Sequence, residues 1–348
     1  MNLIKNISTL VISLLLSFFV AELIFRSLEI GYGNNPLESS KIYHHVHPLN
    51  YTFRIHDPHG EYGGHNIYYD EKGFRVENNN VNILKDSDNL DSIIFLGDSF
   101  TEAVQVPYKD TFASLTGLAL GFPVINLGVS SYSPMLYKLQ SKKILSQFSG
   151  RTVIMQIYAN DFRSDKSFFD SAIFENNELV AIDGGKNNFL IRLLRKSYVA
   201  RYLRKSQLTI KAIVTGPTFF SITNDIKFQN TVTDEHIKFT VKTIKEISEI
   251  LNNQNKKLHV FMVPTKHLSV QNLCCKEDKL YNKFYNELFK HKISTIDMAY
   301  FFEKYEDQKR LFFDLDAHFT KEGNKLVASA IVSFLNQKEP SLSYNIDK

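Results

Sequence analysis

Residues 93–96, Ile-Ile-Phe-Leu, form a run of large apolar side chains that stops abruptly at Gly97-Asp98-Ser99. Four such residues in a row suit a strand covered on both faces, because a strand with one wet face would alternate. A strand of this kind belongs to an α/β sheet, and the turn that ends it puts a serine hydroxyl at the sheet's carboxyl edge, where open α/β sheets bind ligands. Further runs repeat the pattern: Val124 to Leu127 ends in Gly128, Val153 to Tyr158 ends in Ala159-Asn160-Asp161, and Leu258 to Val263 is closed by Pro264. Ile293 to Ile296 reads as a short fifth strand ending at Asp297. Between these, helices are predicted from Pro107 to about Ala119, from Ser133-Pro134 to about Gln147, from Asp234 to Asn252 and over 277–290. A last helix from Lys321 to about Leu335 carries Leu326, Val327, Ala330, Ile331 and Phe334 at core-facing spacing. The alternation predicts a parallel central sheet with helices on both faces.

A lone Gly-Asp-Ser is also an ordinary turn, Asn160-Asp161 can simply cap a helix, and Gly128 can simply turn the chain. What suggests chemistry is the segment Phe313-Asp314-Leu315-Asp316-Ala317-His318, directly before the last helix. A serine hydroxyl is a poor nucleophile until a neighbouring base takes its proton. His318 is the candidate base toward Ser99 and the acid toward the leaving group. A carboxylate must then hold the imidazole tautomer. Asp316, two residues before His318, and Asp314, four before, both fall on its side of an extended segment. Asp98 reads as a turn-fixing residue with no chemical step.

In the order Ser99, Gly128, Asn160, His318, these blocks resemble the SGNH, or GDSL, superfamily of serine hydrolases and acyltransferases, over residues 90 to 338. The resemblance implies an SGNH hydrolase fold, that is, an α/β flavodoxin-like three-layer sandwich with a central parallel sheet. It implies an acyl-serine intermediate, an oxyanion hole from the backbone N–H groups of Ser99 and Gly128 and the Asn160 amide, and no cofactor or metal. Two positions depart from the pattern. Leu315 stands where the family usually has its aspartate, and Asp316 is preferred over Asp314 because a similar Asp-x-His occurs in the membrane-associated acetyltransferase branch. Tyr158 stands where a glycine is usual, which should narrow the pocket. Lys266, after Val263-Pro264-Thr265, resembles a feature of the same branch. The implied function is ester hydrolysis, as O-acyl or O-acetyl removal from an envelope glycan, a lipid or a small ester. One alternative is transfer of an acetyl or short acyl group to a polysaccharide hydroxyl. A second, of another class, is a non-catalytic glycan-binding or assembly subunit that retains the fold.

The N-terminus is the other constraint. The chain is uncharged from Asn6 to Ala21, and Leu23-Ile24-Phe25 extends the apolar stretch past Glu22. That approaches the roughly 20 residues needed to cross a bilayer. Phe19-Val20-Ala21 lacks the small-x-small pattern of a cleavage site, so residues 1–26 read as a retained signal anchor, with a cleaved signal peptide as the alternative. Lys5 before the span and Arg26 after it leave the positive-inside rule nearly balanced. The family resemblance implies a single pass through a bacterial inner membrane, with the catalytic domain toward the periplasm or cell exterior.

The remaining chain divides into an extension over 27–90, a hydrolase domain over 91–338 with an insertion at about 163–230, and a polar tail over 339–348. The extension carries His44, His45, His47, His56, His59 and His65, but at spacings that form no ligand pair. A turn over Asp70 to Arg75 precedes the first strand. The insertion's basic segments, Leu190 to Lys196 and Arg201 to Lys205, read as a helical cap over the active site or as a helix on anionic lipid, and the two are compatible. Adjacent Cys274 and Cys275 read as free thiols or packing residues. A net charge of +4 on 348 residues argues against a nucleic-acid partner.

Overall fold

The computed structural model describes residues 2–28, 36–56, 61–79, 91–185, 193–194, 196–216, 226–227, 229–275 and 277–336. The first element, α1 (Asn2–Ser27), is a helix whose apolar side chains point into open space, Leu10, Ile12 and Leu15 among them. Residues 5–20 of this helix are all exposed, and an apolar surface left uncovered by protein is what a bilayer would cover.

The extension is a small β structure. Strands β1 (Glu38–Ser39) and β2 (His45–Val46) pair antiparallel. Strands β3 (Tyr51–His56), β4 (Gly63–Tyr69) and β5 (Arg75–Val76) form an antiparallel sheet in that order. Phe53, Ile55, Ile67 and Tyr69 pack with Val104 of the next domain, and Phe74 and Val76 enter its main core.

The central sheet is parallel, with order β11-β8-β6-β7, where β6 is Ile93–Leu96, β7 Val124–Asn126, β8 Thr152–Ile157 and β11 Lys257–Met262. The β6 side chains are all 3% exposed or less, as a strand covered on both faces requires. After β7 pairs on one side of β6, the chain crosses to place β8 on the other. The carboxyl end of β6 is therefore a topological switch point. The expected fifth strand is a single parallel bridge, Val260 to Thr295, held by hydrogen bonds between Val260 N–H and Ser294 O and between Ile296 N–H and Val260 O.

Helices cover both faces. The four-residue α2 (Ser99–Glu102) follows β6, and α3 (Phe112–Leu120) precedes β7. The helix expected to begin at Pro107 is instead a 3-10 turn over Tyr108–Asp110 that breaks at Thr111. Thr111 is extended, and its side chain caps α3 by accepting from the Ser114 N–H. Next come α4 (Pro134–Lys143), α5 (Asp161–Asp170), the hairpin β9 (Ala172–Glu175) and β10 (Glu178–Ile182), and α6 (Tyr198–Thr215). The remainder are α7 (Asp234–Asn253), α8 (Lys266–Ser269), α9 (Lys279–Lys290), α10 (Ala299–Glu303) and α11 (Lys321–Asn336). One layer pairs α11 with α3, and the other packs α7 against α4, α5 and α9. Cys274 and Cys275, expected as free or packing residues, are buried and joined as a vicinal disulfide. Residues 339–348, His59, Leu190, Ile191, Arg192 and Arg195 lie outside the described residues, as does the side chain of His56.

Candidate active site

The site grows from the end of β6. Asp98 caps α2, its carboxylate accepting from the Phe100 N–H at 2.9 Å. Gln156 on the neighbouring β8 holds the same turn, its Oε1 accepting from the Asp98 N–H at 3.1 Å and the Thr101 hydroxyl at 3.0 Å. Ser99 thus stands at the first helical position, where backbone N–H groups lack intrahelical acceptors.

His318 arrives from the loop before α11. Its Nε2 lies 2.7 Å from Ser99 Oγ, and its Nδ1 contacts Asp316 Oδ1. The same Asp316 oxygen accepts the His318 backbone N–H at 2.8 Å, and Tyr62 donates its hydroxyl to Oδ2 at 3.3 Å. Of the two candidate carboxylates, Asp316 is therefore the one on the imidazole, and Asp314 is exposed. Burial alone would raise the Asp316 carboxyl, but the charge and hydrogen bonds of His318 outweigh it and hold the group well below the usual carboxylate range. Burial works against a charged His318, yet Asp316 raises it above the ordinary imidazole value, with Asp98 and Glu102 adding to the pull. The loop is fixed from beneath by Lys266, 2% exposed, whose ammonium donates to the carbonyls of Phe313, Asp314 (2.8 Å) and Asp316 (3.3 Å).

The expected oxyanion donors are less uniform. The Gly128 N–H donates to Asn126 Oδ1 at 3.0 Å, while Asn126 Nδ2 donates to Thr101 O at 2.8 Å. Gly128 is pressed against α2: a Cβ there would lie 2.5 Å from Glu102 N and 2.8 Å from the Thr101 carbonyl carbon. Only glycine fits this approach, but its N–H could serve an oxyanion only by sharing with Asn126. Asn160 begins α5 without capping it through its side chain, and its amide hydrogen-bonds Asp98. An amide NH2 carries two N–H bonds, so one remains for a ligand. Asp98, fully buried, is pushed up to about 6 by that burial, against the opposing pull of the Phe100 N–H, His318, Gln156 and Asn160. Tyr158 lies with its ring 4.6 Å from Phe100, whose ring is 4.7 Å from that of His318, so the missing glycine is replaced by an aromatic wall.

Several supporting residues have no sequence signature. Glu102, the last residue of α2 and fully buried, accepts from the Tyr69 hydroxyl (2.6 Å), the Ser130 N–H (3.0 Å) and the Ser130 hydroxyl (2.6 Å), and lies 3.2 Å from His47 Nε2. Burial would raise its carboxyl, but these partners, His47 foremost, hold it down at about 2. Arg75 closes the turn after α2 by donating to the carbonyls of Glu102, Ala103 and Val106 at 2.5–2.7 Å. Glu61 accepts the Leu315 N–H at 2.7 Å. Among the described residues no cluster of histidine, cysteine or acidic side chains is arranged to hold a metal ion. Instead His45 and His65 meet the carbonyls of Ser130 and Val104. A cavity of about 390 Å³ lies elsewhere, beside the Asp70–Phe74 turn and α4, and none of Ser99, Asn160, Asp316 or His318 lines it.

A family model described as an SGNH hydrolase-like domain, acetyltransferase AlgX, matches residues 222–345, which contain His318, Asp316 and Lys266. Over that segment the chain is similar to the SGNH hydrolase-like family. The part of the chain before residue 222, including Ser99 and Asn160, lies outside that match. No curated protein sequence matches. Among solved structures, similarity extends to a member of the lipolytic G-D-S-L family from Veillonella parvula (12% identity, 71% of this chain and 98% of that one, TM-score 0.41). It extends also to a lipase/acylhydrolase from Enterococcus faecalis (13%, 70% and 94%, TM-score 0.39) and to the acetyl xylan esterase AlAXEase (16%, 70% and 99%, TM-score 0.41).

Proposed function

We propose that this protein is a membrane-anchored serine enzyme that cleaves a short acyl ester through an acyl-Ser99 intermediate. The observation that carries the reading is the line Ser99 Oγ, His318 Nε2, His318 Nδ1, Asp316 Oδ1, with 2.7 Å at the nucleophile end. Ser99 attacks the ester carbonyl as its proton passes to His318 Nε2. The alkoxide leaves with that proton, and the acyl-serine is released when His318 activates an incoming hydroxyl. The Ser99 N–H and the Asn160 amide are the oxyanion donors in this scheme, with Gly128 sharing its N–H with Asn126. Asp316 stabilises the imidazolium and keeps the tautomer.

The primary reading gives the incoming hydroxyl to water, making the protein an O-acyl or O-acetyl esterase on an envelope glycan or lipid. A second reading gives it to a glycan hydroxyl, an O-acetyl transfer. It is favoured by the acetyltransferase description of the matching family and by Lys266, which holds the carbonyl of Asp316. The apolar α1 is read as a retained anchor with the catalytic domain outside the cytoplasm.

The test is p-nitrophenyl acetate turnover by the detergent-purified full-length protein and Ser99→Ala, each with and without an oligosaccharide acceptor. Ser99-dependent nitrophenol release in water alone supports the esterase. Release that depends on the acceptor, with acetylated sugar detected by mass, supports transfer. Turnover that survives in Ser99→Ala refutes the acyl-serine.

A further inference from the structure

The insertion helix α6 is bound to the anchor helix. Glu22, on α1, accepts from the Ser197 hydroxyl (2.8 Å) and from the N–H groups of Tyr198 (3.0 Å) and Val199 (3.1 Å). It therefore satisfies two of the orphan donors of α6's first turn, while the N-cap Ser197 hydroxyl accepts from the Ala200 N–H. The rings of Phe25 and Tyr202 meet edge-on at 5.1 Å, and the Arg26 guanidinium lies 4.9 Å over Tyr198.

These contacts fix the height of α6 relative to a membrane. The candidate span Lys5–Ser27 has 23 residues. At a rise of about 1.5 Å per residue that is about 35 Å, against a hydrocarbon core of about 30 Å. Lys5 and Glu22 bound the uncharged stretch and lie about 26 Å apart along the helix, so with Lys5 at one face of the core Glu22 is within about 4 Å of the other, and α6 begins there.

The composition of α6 suits that level. Leu203, Ile210, Ile213 and Val214 share one face at helical spacing and are 60–80% exposed. Arg204 and Lys211, also exposed, flank that face, where their stems can follow apolar surface while the charges reach headgroups. On another edge of the helix, the Lys205 charge is near enough to Asp316 to help lower its carboxyl.

We infer that α6 lies in the headgroup region of the membrane that α1 spans, with Leu203, Ile210, Ile213 and Val214 dipped into the acyl boundary and Arg204 and Lys211 on anionic headgroups. This rests on the reading of α1 as a retained anchor. It makes the insertion a membrane-bound platform beside the triad, so the active site works close to the bilayer surface and not at the end of a free tether.

The chain contains no tryptophan, so one introduced tryptophan is a sole reporter. Full-length Ile213→Trp and Leu15→Trp would each be reconstituted into phosphatidylcholine/phosphatidylglycerol vesicles, either unbrominated or carrying lipids brominated high or deep in the acyl chain. Position 213 is 67% exposed, so its substitution leaves the core intact. For a helix buried at the headgroup boundary, shallow bromines should remove about half of the Ile213→Trp emission seen in unbrominated vesicles, and that emission should be blue-shifted. Leu15→Trp should be quenched most by deep bromines. If Leu15→Trp is quenched and Ile213→Trp is as bright as in unbrominated vesicles, the placement of α6 is overturned while the anchor stands. A blue-shifted but unquenched Ile213→Trp overturns it too, because protein and not lipid then covers that face. If Leu15→Trp is unquenched, the anchor reading fails, and the placement with it.

Discussion

Asp316 and Asp314 are two residues apart, yet the fold gives them opposite surroundings, and exchanging each for asparagine exposes the difference. Asp316 contacts Nδ1 of His318, whose Nε2 is 2.7 Å from Ser99. Asparagine at 316 is close in shape but presents a neutral amide, which cannot stabilise an imidazolium and favours the wrong tautomer. In serine triads that change costs about 10⁴ in kcat, or about 5 kcal/mol of transition-state stabilisation. Asp314 contributes its backbone carbonyl to Lys266, and asparagine keeps that carbonyl. Its exposed side chain should leave kcat/KM within about two-fold, because solvent and salt screen such a charge. The pH profile adds a second readout. His318 must be neutral to act as base, and its pKa is raised, so activity falls as pH drops through a value above the ordinary imidazole range. In Asp316→Asn the leading upward pull is gone and burial is left to act, so the residual activity should keep its acid limb to lower pH. Stopped-time turnover of p-nitrophenyl acetate from pH 5 to 9 measures both. Equal losses in the two variants, or an acid limb unmoved in Asp316→Asn, would refute the assignment of Asp316.

Glu102→Gln should lower the unfolding free energy by about 3 kcal/mol at neutral pH, since the carboxyl is held at about 2 against an ordinary 4.5. A depressed carboxyl stabilises above its unfolded pKa, so the gap between variant and parent should close as pH falls from 4.5 toward 2, followed by denaturant titration. Lys266→Met removes the donor to three loop carbonyls and should cost about 2–4 kcal/mol and at least about ten-fold in kcat; a stable variant with unchanged kcat would remove Lys266 from the positioning of Asp316. Tyr158→Gly deletes the aromatic wall behind Phe100, so it should lose about 3 kcal/mol of stability and shift kcat/KM from acetyl toward butyryl esters.

What the sequence made legible follows from where the constraint is local. The β6 run, the Gly-Asp-Ser turn and the periodicity of α11 are written in contiguous residues, and strand–helix alternation implies a parallel sheet. Ser99 and His318 were readable as a pair because each stands at a strand or helix boundary, although 219 positions separate them. Asp316 could be preferred only by resemblance, since extended backbone puts both aspartates on the same side. The short break at Thr111 was missed because Pro107 is a good first-turn residue, and nothing nearby shows that Thr111 is the better cap. The fifth strand was overread because Ile293-Ser294-Thr295-Ile296, rich in β-branched residues, fits a strand whether it forms a ladder or one bridge. Glu102, Tyr69, Arg75 and Glu61 were not legible at all. Each looks like a surface or turn residue until tertiary contact buries it.

Those unread residues belong to one design. The extension between α1 and β6 holds the candidate site at two points. Tyr69, His47 and Arg75 hold the end of α2, three residues beyond Ser99, while Glu61 and Tyr62 hold Leu315 and Asp316. A flexible tether would show neither set, because a linker that only sets distance from the membrane has no need to bury an arginine and a tyrosine against the nucleophile helix. Glu22 of α1 accepts from the first-turn N–H groups of α6, whose Lys205 acts electrostatically on Asp316. Extension and insertion therefore both act on the imidazole–carboxylate pair. Cutting the chain after α1 removes a partner of the first turn of α6, and cutting it before β6 removes partners of both Ser99's helix and Asp316. Loss of activity on the second cut should thus exceed loss on the first, with catalysis as well as solubility at stake.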